Sequence, residues 1–81
     1  MKWIETYKGY LINPKAIESI GVGKKEEFDR HGRSYVVYAV MIRTISRDVY
    51  YHSVHKSKEE AEREKAELYN QLLLHAENVS V

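Results

Sequence analysis

The sequence predicts an α+β domain, an antiparallel sheet of four or five strands with one C-terminal helix packed on a face. Two observations carry this. Residues before position 56 fall into short runs rich in valine, isoleucine and tyrosine, separated by glycine, proline or charged residues. From Ser57 onward the pattern changes to a capping motif followed by apolar residues at helical spacing. The length, 81 residues, fits a single domain over 1–81, with sheet over 1–56, helix over 57–77 and a short tail over 78–81.

The chain opens with two short strands, Trp3 to Thr6 and Tyr10 to Ile12, joined around Lys8-Gly9, where glycine can take the positive φ of a tight hairpin. Asn13-Pro14 ends that unit, because proline lacks an amide donor and restrains the residue before it. A turn through Pro14–Ala16 then leads into a strand over residues 16–22. Ile20 and Val22 keep a period of two there and Ile17 falls out of phase. Gly21 and Gly23 leave room for a bulge or bend there. Residues 24–33, Lys-Lys-Glu-Glu-Phe-Asp-Arg-His-Gly-Arg, read as a charged loop.

Ser34 to Ser46 gives the strongest strand signal, and Val49 to His55 forms its antiparallel partner if Arg47-Asp48 is a two-residue loop. That register sets Thr44 opposite Tyr51 and Ile42 opposite Ser53. One face of the pair then carries Val36, Tyr38, Val40, Ile42, Thr44, Val49 and Tyr51. The other carries Tyr35, Met41, Arg43, Tyr50 and His52 among further apolar residues. Both faces are more apolar than a water-facing side of a sheet. A single helix covers one of them, so the second calls for sheet curvature, a ligand or another copy of the chain. A chain of this size also gains useful core by pairing, so a homo-oligomer is expected.

Ser57-Lys58-Glu59-Glu60 fits a capping box, and the early glutamates suit the positive end of the helix dipole. Ala61, Leu68, Tyr69, Leu72, Leu73 and Ala76 share one helical face, while Leu74 points away from it. Charge divides with the elements. Residues 1–56 hold ten basic and six acidic side chains, a balance of +4. Residues 57–81 hold three and six, a balance of −3, and the chain totals +1. This falls short of the basic stripe of a nucleic-acid binder.

The motifs for chemistry are mostly missing. With no cysteine there is no thiol nucleophile, disulfide or zinc–thiolate site. Gly21-Val22-Gly23 lacks what would complete a phosphate loop. His52 and His55, three apart on a strand, are expected on opposite faces, which argues against a metal pair. Asp48, His52 and Ser53 supply the residue types of a hydrolase triad without a strained turn to expose the serine. Neither an enzyme nor a cofactor is expected. The longest apolar run, Tyr35 to Ile42, is far below the roughly 20 residues of a membrane span. An acid at Glu5 interrupts any leader-like start, so a cytoplasmic protein is expected.

What remains is a binding surface. Arginine, tyrosine and histidine recur at interfaces and where bases stack, which singles out Tyr35, Arg43, Tyr50 and His52 on one hairpin face, joined by Arg47. Arg30 and Arg33 in the charged loop are weaker candidates. The expected function is a non-catalytic module binding another protein; the alternative is a nucleic-acid or nucleotide binder using Arg43, Arg47 and the tyrosines.

Trp3-Ile4 with its short hairpin, Leu11-Ile12-Asn13, Ile17 to Ile20, the valine-rich hairpin and Ser57-Lys58-Glu59-Glu60-Ala61-Glu62 follow one another in an order that resembles short bacterial and phage proteins. In these a strand meander is closed by a C-terminal helix, a reduced pleckstrin-homology-like plan. The resemblance implies a sheet open or curled into a partial barrel. It also implies a setting in which small accessory or inhibitor proteins occur. It carries no functional residue with it.

Overall fold

The computed structural model describes residues 3–79, and for 73–79 the backbone alone. The class is α+β, with five strands divided between two sheets rather than joined in one. β1 (Ile4–Glu5) pairs antiparallel with β2 (Leu11–Ile12). β3 (Ile17–Phe28), β4 (Ser34–Thr44) and β5 (Val49–His55) form a three-stranded antiparallel sheet in that order. Between the sheets Pro14–Ala16 makes one turn of 3-10 helix, and the Asn13 carboxamide accepts from the Lys15 amide at 3.0 Å. Helix α1 (Lys58–Val79) ends the described chain.

All three hairpins close with the same loop. The first residue's amide donates to the carbonyl of the fifth, and the fourth residue's amide returns to the carbonyl of the first. The pairs are Thr6 with Tyr10 at 2.7 Å, Asp29 with Arg33 at 3.0 Å and Thr44 with Asp48 at 2.9 Å. The fourth residue has positive φ each time: Gly9 at 89°, Gly32 at 77° and Arg47 at 70°. This is the three-residue hairpin loop, a type I turn followed by a left-handed residue. At the third hairpin side chains bind the turn as well. Ser46 Oγ lies 2.9 Å from Thr44 Oγ1 and donates to Asp48 Oδ2 at 3.0 Å.

That loop corrects the expected two-residue connection at Arg47-Asp48 and shifts the register. Arg43 pairs with Val49, Ile42 with Tyr50 and Met41 with Tyr51. A bulge follows, after which Val40 pairs with Ser53 and Tyr38 with His55. The charged stretch after Val22 is also corrected. Lys24 to Phe28 continue β3, each paired across β4 from Tyr38 to Ser34, and only Asp29–Arg33 form the loop. Charge does not break a strand whose backbone is paired and whose side chains alternate between faces. Ile17 is out of phase because the register slips between Ile17 and Ser19, so the bulge sits at Glu18 rather than at the glycines.

The core lies on one side of the sheet. Ile20, Val40 and Ile42 meet Ala61 and Leu68 of α1 and Ile4 and Ile12 of the small hairpin. Ser57 caps the helix, its Oγ accepting from the Glu60 amide at 3.2 Å. Tyr69, expected on the buried face, is 42% exposed. Leu73, Leu74 and Ala76 lie outside the residues whose side chains are described. The helix runs through Asn78 and Val79, where a tail was expected.

Among the described residues no helix covers the other side of the sheet, yet Val37 and Ala39 are buried there at 6% and 0% exposure. Lys25 reaches across β4 and sets its Nζ 4.5 Å from the centre of the Tyr51 ring. Met41 lies over Gly23. The small residues on this side are therefore covered by the sheet's own side chains. Part of the apolar surface that called for a partner is met within the chain.

Candidate functional site

Residues 6–10, the loop of the small hairpin, sit against the outer edge of β5, where the Tyr7 amide donates to the Tyr51 carbonyl at 2.7 Å. Between the two elements opens a cleft of about 460 Å³, lined by Thr6, Lys8, Tyr10, Val49, Tyr50 and Tyr51. The rings of Tyr10 and Tyr50 are 6.1 Å apart and inclined at 60°, a favourable tilted geometry. Thr6 is buried and its Oγ1 accepts from the Tyr10 amide at 2.9 Å, which fixes the loop that carries Lys8. Tyr50 packs on the core and so forms a firm wall, whereas Tyr10 is 62% exposed.

The expected binding face does not assemble as one surface. Tyr35, Met41 and Arg43 do alternate onto the helix-free side of β4. The shifted register moves Tyr50 to the opposite side, as the partner of Ile42. His52 occupies the bulge and has no cross-strand partner of its own. Tyr35 and Arg43 are eight residues apart on one strand, about 26 Å. Arg30 and Arg33 lie with Tyr35 toward one end of the sheet, Arg43 and Arg47 toward the other. All five are exposed, and they form two small groups instead of one basic patch.

The bulge also overturns the expected separation of the histidines. His52 Nδ1 lies 3.3 Å from Ser53 Oγ, and His55 Nε2 lies 2.8 Å from the same oxygen. Burial holds the His52 pKa below the usual imidazole value; Glu64 on α1 opposes this and His55 adds to it. Among the described residues no three His, Asp or Glu side chains come together as a metal site. Ser53 is also absent from the lining of the cleft. The histidine–serine group therefore reads as a packed polar cluster under the helix.

Of the residues singled out from the sequence, only Tyr50 reaches the cleft. Thr6, Lys8, Tyr10, Val49 and Tyr51 were missed. Tyrosine spacing does not single them out, since six of the seven stand in three close pairs, Tyr7 with Tyr10, Tyr35 with Tyr38 and Tyr50 with Tyr51. Among the described residues no helix is long and apolar enough to cross a membrane. No family model, curated protein or solved structure matches the chain.

Proposed function

We propose that the chain is a small non-catalytic module that binds another protein through its N-terminal hairpin and the adjoining edge of β5. The observation that carries this is the exposure of large apolar side chains on and beside the small hairpin, one of which, Tyr10, lines the cleft. Trp3 is 51% exposed, and Tyr7, Tyr10 and Leu11 are each 62% exposed, within the first eleven residues. Aromatic residues held on a hydrogen-bonded hairpin give contact area at small entropic cost, and such anchors dominate interface energetics. The cleft is wide enough to take one apolar or aromatic side chain of a partner. On this reading the protein works in the cytoplasm as an accessory or inhibitor, a setting drawn from its resemblance to bacterial and phage meander proteins.

The test is affinity capture with the wild-type chain and with a Tyr10→Ala/Leu11→Ser variant as baits. Both positions are exposed, so the fold should survive. A partner recovered by the wild type and lost with the variant supports the reading; equal recovery by both baits counts against it.

A second reading is favoured by Lys8, which stands beside the Tyr10–Tyr50 pair and could neutralise a phosphate while a base stacks on Tyr10. Nucleotide or single-stranded nucleic-acid binding would then fall steeply with added salt, and Lys8→Glu would weaken it. Binding by an apolar protein interface would change little under the same salt series.

A further inference from the structure

We propose that the free edge of β3 pairs antiparallel with the same edge of a second copy, around a two-fold axis through Lys25, joining two three-stranded sheets into one of six strands. This identifies the partner surface for self-association and rests on that expectation. β3 is the longest strand, and it lies at the end of the strand order. Apart from the Ile17 amide, which donates to the Pro14 carbonyl, no backbone bond outside the pairing with β4 is made by β3 among the described residues. Long free edges are normally blunted by charged side chains, by proline or by bulges, and charges on an edge stop blocking it only where the partner edge carries the opposite sign in register. Here the bulge is confined to Glu18, and the charges over residues 24–27 sum to zero.

The order of those charges selects the register. Pairing two edges around a two-fold axis keeps each face continuous, so even-numbered residues meet even and odd meet odd. Centring on Lys25 sets Lys24 opposite Glu26 and Val22 opposite Phe28, each twice, on the helix-bearing face. Centring one residue earlier sets Lys24 against itself and Val22 against Glu26. Centring one residue later sets Glu26 against itself and Lys24 against Phe28; it also sets Lys25 against Glu27 on the other face, but these two are already paired with each other within the chain at 2.8 Å, with Lys25 turned to the Tyr51 ring. Opposite charges directly across a strand pair stabilise it and like charges oppose it, so the first register is favoured: it alone joins an opposite-charge pair not already made within one chain to the apolar Val22–Phe28 pair.

The two Lys25 side chains meet at the axis in that register, and the structure already turns them away from it. Lys25 Nζ is 2.8 Å from Glu27 Oε1 and 4.5 Å from the Tyr51 ring centre, directed inward across β4. Phe28, 63% exposed in the single chain, gains Val22 of the second copy as a neighbour.

Sedimentation equilibrium of the full chain tests this with Lys24→Glu, Glu26→Lys and the double exchange K24E/E26K. Lys24 and Glu26 are both exposed, so melting temperatures close to wild type will show that the fold is kept. The wild type is expected to be a dimer. Each single substitution should raise the dimer dissociation constant about tenfold or more, and the double exchange should return it to within about threefold of wild type. A wild-type dimer indifferent to the single changes would overturn the edge pairing and leave self-association to another surface. Single changes that weaken the dimer without rescue by the double exchange would overturn the register. A monomeric wild type would overturn the proposal together with the self-association on which it rests.

Discussion

Arg47 adopts, at φ 70°, the left-handed backbone that Gly32 adopts at φ 77° in the equivalent position of the preceding hairpin. The same position in the first hairpin is Gly9 at 89°. Two loops thus use the residue that takes this conformation without steric cost, and the third uses an arginine whose β-carbon crowds the following carbonyl. The bonds among Thr44, Ser46 and Asp48 hold the turn in spite of that strain.

Arg47→Gly should therefore stabilise the fold, by about 0.5–1 kcal/mol after the added freedom of the unfolded chain is deducted. Gly32→Ala should destabilise it by about 1–2 kcal/mol, since the alanine inherits the strain. Urea unfolding of the two variants measures both, and equal midpoints for Arg47→Gly and wild type would remove the strain argument.

The shared loop also explains which parts of the molecule the sequence disclosed. The existence of the small hairpin, the Pro14 turn, the paired strands and the Ser57-capped helix followed from local chemistry, which residue types express directly. The register of β4 and β5 did not, because it depends on a loop with arginine where the familiar signal is glycine. One misplaced loop residue re-pairs every side chain along the ribbon, and the bulge at His52 re-pairs them again. The binding face built on that register dispersed for this reason. The cleft was out of reach for a different one. It forms between segments some forty residues apart, tied by the Tyr7–Tyr51 backbone bond, and no local pattern reports that contact.

Leu68 and Leu11 offer a direct comparison of position against residue type. Leu68 is 2% exposed beneath the sheet, and Leu11 is 62% exposed on the small hairpin. Leu68→Ala removes buried methyl groups and leaves a cavity, at a cost of about 2–5 kcal/mol. In a domain with so small a core this is a large share of the stability. Leu11→Ala should cost about 0.5 kcal/mol or less, in keeping with an exposed position. Chemical denaturation of both variants gives the contrast, and comparable losses would mean that the small hairpin is more deeply packed than its exposure shows.

His52 makes stability depend on pH. Burial beneath α1 holds its pKa below the ordinary value of 6.5; Glu64 partly offsets this, and His55 reinforces it. The unfolded chain then binds a proton on this imidazole more readily than the folded one does. Stability from this group is complete above pH 6.5 and declines as the pH falls through that value toward the lower folded pKa. Thermal unfolding of the wild type should show a midpoint that drops between about pH 7.5 and 5.5. His52→Gln, which keeps a polar side chain beside Ser53 but does not titrate, should flatten that drop. His55 shares Ser53 Oγ, so the slope lost with His52→Gln isolates what the bulge residue itself contributes. Parallel pH profiles for the two proteins would show that the bulge histidine is solvated well enough to titrate as it does in the unfolded chain.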